Sequence, residues 1–183
     1  MREDRYHHGN LRRALLDAAA AEIAEKGPGA ISLRSIARRA GVSHAAPAHH
    51  FGDRAGLLSA VAAEGFRRMD EAMVDAAAGA DDLLTAVGRA YVDFAVAHPG
   101  EFAVMFRREL LNPGDSELAA HGGATWQRLV DGIAAMPVEA RGGEPTEVVA
   151  ARAWSLVHGL ATLIINGSLS ADDELVDRVL RGV

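Results

Sequence analysis

Between Ala153 and Ile165 the only polar side chains are Ser155, His158 and Thr162. Around them Val149, Ala153, Leu156, Leu160 and Leu163 fall on one apolar stripe of a helix, and Trp154, Val157, Ala161 and Ile164 on another. A helix apolar on nearly every side must be covered on more than one side. In a chain of 183 residues this points to its own core on one face and a second copy of the chain on another, or to the central helix of a monomeric bundle. Ser155, His158, Thr162 and Asn166 repeat at intervals of three or four and form one polar line. Buried, these groups need partners, either across a subunit seam or on a bound molecule.

The rest of the chain has the same period. Leu11, Leu15, Ala18, Ala19 and Ile23 mark a first helix stopped by Gly27-Pro28-Gly29. Ser32 caps a short second helix that ends at Gly41, and Ser43 caps a third reaching Phe51. Asp53 caps a long fourth with Leu57, Leu58, Val61, Phe66, Met69 and Met73. Five more helices follow near 83–97, 99–111, 116–136, 145–167 and 172–182, separated by Pro and Gly punctuation. The expected fold is all-α, about nine helices: an N-terminal three-helix module with a helical bundle behind it. The module spans residues 1–54 and the larger domain 55–183. No flexible linker separates them, so the break falls inside the long fourth helix. No apolar run is expected to reach membrane-spanning length, and a polar N-terminus points to the cytoplasm.

Ala40-Gly41-Val42-Ser43 lies between the two short helices. Gly41 can take the left-handed conformation that ends the first without a Cβ clash. Val42 packs inward, and small Ala37 and Ala40 let the helices approach. The second helix then projects, as major-groove entry requires. Charge agrees. Residues 1–68 carry 11 Lys and Arg against 7 Asp and Glu, and the remainder 8 against 18. A basic head on an acidic body suits a protein that offers one end to a polyanion, although surface charge also segregates by chance.

Three segments carry a resemblance: Arg5-Tyr6-His7-His8-Gly9-Asn10-Leu11, Ser32-Leu33-Arg34-Ser35-Ile36-Ala37-Arg38-Arg39-Ala40-Gly41-Val42-Ser43, and His50-Phe51-Gly52-Asp53-Arg54-Ala55-Gly56-Leu57-Leu58. In this order near the N-terminus they resemble the DNA-binding domain of the tetracycline-repressor (TetR) family. Trp154-Ser155-Leu156-Val157-His158-Gly159 is similar to the Trp-His-Gly signature of one subgroup of TetR C-terminal domains. The resemblance implies a homodimer whose C-terminal domains bind a small effector, and double-stranded operator DNA as partner. It also implies the sites. Ser32, Arg34, His50 and Arg54 would meet phosphates, with Tyr6, His7 and His8 as an arm. Family members usually carry Tyr before the His-Phe pair; with His49 there, either His49 takes that phosphate contact or it is missing. Pro47 removes a helical hydrogen bond inside the reading helix, leaving His44, Ala45 and Ala46 to face the bases, where short side chains favour thymine methyls, with Ser43 at the cap also part of the DNA-binding site.

A largely apolar effector would find walls in Tyr91, Phe94, Phe102, Met105, Phe106 and Trp126, with His158 as a polar contact. Val149, Leu156, Leu160, Leu163, Leu175 and Val179 are the expected dimer seam. No metal site, cofactor or enzyme activity is expected. Cys is absent, the His pairs are adjacent and so diverge on a helix, and neither H-E-x-x-H nor G-x-S-x-G occurs. The reading is a repressor that binds a palindromic operator and is released by a small molecule. The alternative is a helical interaction protein or enzyme that keeps the N-terminal motif only as structure; binding to no DNA at low salt would favour it.

Overall fold

The computed structural model describes residues 3–181, with side chains from Asn10 onward. Tyr6, His7 and His8 lie outside the described side chains. Among the described residues there are nine α-helices and no strand: α1 (Glu3–Lys26), α2 (Leu33–Ala40), α3 (Ala46–Phe51), α4 (Arg54–Ala77), α5 (Leu83–Ala97), α6 (Pro99–Met105), α7 (Ser116–Ala134), α8 (Thr146–Ile165) and α9 (Asp173–Leu180). Short 3₁₀ turns stand at Pro28–Ala30 and Arg108–Leu110.

The described chain forms two compact units. One takes the residues up to Phe66 together with His98–Ala120; the other takes Arg67–Ala97 and the residues from His121 onward. Thus α4 begins in the first unit and ends in the second, and so does α7.

In the first unit α1 packs on α2 and α6, and α2 on α3. Leu15, Ala19, Ile23, Ile36, Leu57, Leu58 and Val61 are buried in its core. Gly100, near the start of α6, is there because α1 is so close: a Cβ at this position would lie 2.0 Å from the Ala20 carbonyl oxygen. In the second unit α5 packs on α8 and α9, burying Val92, Ala95, Ala153, Val157, Leu160, Ile164, Val176 and Leu180. Arg89 of α5 locks α9 from the rim, donating to Asp93, to Asp177 at 2.9 Å and to Asp173.

Two helix boundaries differ from expectation. The helix expected over 99–111 ends at Met105, where Arg107 N–H tightens onto Val104 O and a 3₁₀ turn follows. The third helix starts at Ala46, not after a Ser43 cap. Pro47 has no N–H to give Ser43 O, which instead accepts from Ala46 N at 3.1 Å and closes a turn. Regular bonding begins when His49 N–H reaches Ala45 O.

A third correction concerns hydropathy. Over Thr146–Ile165 the mean hydropathy reaches 1.6, so by length and composition α8 could span a membrane, contrary to the expectation from sequence. Its buried stripe is the packing surface for α5 and α9, which is how a core helix acquires such a composition.

Candidate nucleic-acid interface and aromatic cluster

The turn before α3 depends on how α2 is fixed at both ends. Ser32 Oγ accepts from Ser35 N–H at 3.1 Å, and Ser35 Oγ accepts from Ser32 N–H at 3.0 Å, a reciprocal capping box. Gly41 closes the other end at φ 68°, and Val42 N–H reaches back to Ala37 O at 3.0 Å. Between these stops α2 buries Ile36 and Ala37. The chain then presents Ser43, His44 and Ala45 to solvent in a turn, with Ala46 half-buried at the start of α3 and His49 exposed. Four of the expected reading residues thus lie together, but three of them on the turn and not on the helix. Pro47 underneath is buried.

Arg34 is exposed on α2, and among the described residues it forms no ion pair. Arg38, one turn further, is exposed and unpaired in the same way, whereas Arg39 is held by both carboxylate oxygens of Glu25 at 2.6 and 2.7 Å. The expected site omitted Arg38; its i+4 spacing from Arg34 was the available signal. Ser32 is spent on the capping box. His50 is half-buried, its ring 5.5 Å from that of His49 and 6.0 Å from Phe51.

Arg54 is tied to the backbone of its own head. Its Nη2 donates to Pro28 O at 2.6 Å and its Nε to Ile31 O at 3.2 Å. Two of its donors therefore hold the carbonyls of the segment that leads into α2. A side chain so engaged fastens the start of α4 to the entry of the reading head.

The expected effector walls divide between the units. Phe102, Met105 and Phe106 belong to the first, where Phe106 meets Phe66 and Phe102 edge-on at 5.4 Å each. Tyr91, Phe94, Trp126 and His158 belong to the second. Phe94, Phe102 and Met105 are buried core residues, at 5%, 8% and 3% exposure. What remains is a compact cluster. Tyr91 Oη lies 2.8 Å from His158 Nδ1, Trp154 Nε1 donates to Tyr91 Oη at 3.4 Å, and the Trp126 ring centroid is 5.7 Å from that of Trp154. Trp154 was not among the expected walls, yet its i+4 spacing to His158 puts both on one face of α8.

An indole N–H can only donate, so the Tyr91 oxygen accepts from Trp154. The imidazole tautomer sets which of Tyr91 Oη and His158 Nδ1 carries the shared hydrogen. Burial disfavours the charged form of both groups, pushing the His158 imidazole below its ordinary value and the Tyr91 phenol above its own.

This has a measurable consequence. With the folded pKa depressed, the unfolded chain takes up the proton first as pH falls below about 6.5. The stability contribution is complete above that pH and is lost as pH drops toward the folded value. Wild type should therefore lose thermal midpoint faster than His158→Gln between about pH 6.5 and 5. Parallel curves would show that His158 titrates as it does in the unfolded chain.

The expected seam residues separate by burial. Leu163 is 43% exposed, while Val149, Leu156, Leu175 and Val179 are half-buried; Val148, not among them, is 42% exposed. Leu160 is a correction: at 4% exposure it belongs to the core stripe with Val157 and Ile164. Among the described residues no group of three or more His, Cys, Asp or Glu is placed to hold a metal ion.

Two short helices meeting at a left-handed glycine, with an exposed turn after it and Arg34 and Arg38 exposed on the first, define a helix-turn-helix head. The family model described as bacterial regulatory proteins, tetR family, matches residues 15–61, and the tetracyclin repressor-like C-terminal domain matches residues 84–183. The chain belongs to the TetR family. Among solved structures, a protein with unknown function from Rhodococcus sp. RHA1 is 36% identical, with 97% of this chain and 93% of that one covered at a TM-score of 0.77. A TetR family transcription regulator from Marinobacter aquaeolei VT8 is 20% identical over 97% of this chain and 95% of that one, TM-score 0.76. The fatty acid degradation regulator FadR from Bacillus halodurans is 17% identical over 93% and 92%, TM-score 0.76; these last two are likenesses of fold. No curated protein matches the chain in sequence.

Proposed function

We propose that this chain is a transcriptional repressor that binds a palindromic operator as a homodimer and is released by a small, largely apolar effector. The observation that carries the DNA half is the exposed Ser43-His44-Ala45 turn beside Arg34 and Arg38, two cations with no ion pair among the described residues. Unsatisfied cations next to an exposed turn suit phosphates flanking a major groove. Residues 1–54 are then the DNA-binding domain and 55–183 the domain for dimerisation and effector. The outward face of α8, with Val148, Ser155 and Leu163, is the proposed seam, joined by Leu156, Leu175 and Val179 at its edge. The cluster of Tyr91, His158, Trp154 and Trp126 is the proposed effector contact, apolar in surface and polar at one point. The protein acts in the cytoplasm and is not an enzyme.

The test begins with duplexes selected by the protein from a random pool at low salt. Arg34→Ala should weaken binding to all of them about equally and flatten the salt dependence by close to one unit of slope. Ala45→Leu should change which sequences are selected, because it alters a side chain facing the bases. If no duplex is bound at low salt, the repressor reading is wrong.

A further inference from the structure

α3 has little of its own to fix its orientation. It is six residues long, has no side-chain cap at its start, and buries only Pro47. A helix of that length does not support itself. At its far end the Phe51 ring lies under the Arg12 guanidinium, whose carbon is 5.7 Å from the ring centroid. Arg12 Nη2 in turn donates to Glu117 Oε2 at 2.7 Å. Arg12 is on α1 and Glu117 in the first turn of α7, and all three residues belong to the same compact unit. One side chain therefore touches α1, the end of α3 and the start of α7.

This joint is not what holds the unit together. The ion pair is open to solvent, its side chains 39% and 62% exposed, and exposed pairs add little to folding. Its effect falls on a six-residue helix that packs on α2 and buries only Pro47.

We propose that Arg12, oriented by Glu117, is a positioning residue for DNA readout: it holds the C-terminal end of α3 through Phe51 and so sets how the turn at Ser43–Ala45 meets the bases. The proposal rests on the DNA-binding reading above. Arg12 acts through Phe51 and touches no base.

Glu117 makes the test decisive, because two readings give opposite signs. If Arg12 were a phosphate contact that Glu117 merely competes for, Glu117→Gln would remove a negative charge near DNA and tighten binding to every duplex. If Glu117 orients Arg12, the same change should cost discrimination. The full chain is titrated with a duplex it has selected from a random pool and with an unrelated duplex of equal length. Glu117→Gln and Arg12→Gln should each lower the ratio of the two affinities about two- to fivefold. The double variant should lower it no further than either alone, since both break one joint. Arg12→Lys, which keeps the charge, should recover part of the ratio, and thermal midpoints should stay at the wild-type value. Uniformly tighter binding by Glu117→Gln with an unchanged ratio, or additive losses in the double variant, would overturn the proposal. A chain that forms no complex with any duplex overturns the DNA-binding reading itself, and is recognised by the absence of a selected pool.

Discussion

Leu160→Glu should unfold most of the chain, whereas Leu163→Glu, three residues along the same helix, should leave a folded monomer. Leu160 is 4% exposed in the stripe that α8 turns toward α5 and α9. A carboxylate there loses water, finds no built partner, and also replaces a packed apolar side chain. Losses of about 3–5 kcal/mol or more follow from burying an unpaired charge, comparable with the whole stability of many domains, about 5–15 kcal/mol. Leu163 is 43% exposed in the single chain, so its replacement costs the fold little. In a two-fold dimer the same patch faces itself, and each copy would bring a new charge to the seam. Circular dichroism and sedimentation separate the outcomes. A Leu163→Glu protein that dimerises as tightly as wild type would remove the α8 face from the interface. A Leu160→Glu protein with the wild-type melting midpoint would contradict the placement of Leu160.

The second large effect comes from one methyl group. Gly100→Ala puts a Cβ 2.0 Å from the Ala20 oxygen, 2.8 Å from its carbonyl carbon and 3.2 Å from its Cα. All three atoms are backbone, so no rotamer change relieves the clash and α6 must move off α1. Overpacking of this kind costs about 3 kcal/mol at the upper end of its usual range, equivalent to a melting point lower by about 6–12 °C for a chain this size. Gly123 is the control. It lies inside α7 with nothing within 4 Å of its would-be Cβ. Gly123→Ala should raise stability by about 0.5–1 kcal/mol through helix propensity and a less flexible unfolded chain. Equal effects from the two substitutions would show that the close approach of α6 to α1 does not constrain Gly100.

How far the sequence reached can be seen residue by residue. Ser32 as a cap and Gly41 as a left-handed stop are local devices, set by bonds within a few residues, and both were legible. The start of α3 was misplaced because the Ser43 signal and the Pro47 signal conflict, and proline's missing N–H decides. The anchoring of Arg54 was illegible for a different reason: the carbonyls it holds belong to residues 28 and 31, and nothing in a local pattern shows that α4 begins beside them. Leu160 and Leu163 were indistinguishable because α8 is apolar almost all round, so periodicity gives the spacing of its stripes but not which one faces inward. The aromatic cluster was half legible. Tyr91, Trp126 and His158 stood out by type, but their convergence with Trp154, and their separation from Phe102 and Phe106, required the fold.

The chain contains only two tryptophans, and both stand in that cluster, their rings 5.7 Å apart in the unit that lacks the helix-turn-helix head. Every photon of indole emission from this protein therefore originates at a single address. A fluorescence melt follows that unit alone, while a helical dichroism melt follows the whole chain. Coincident transitions would mean that both units unfold as one cooperative body; separated transitions would assign the midpoint of each without labels or further mutations.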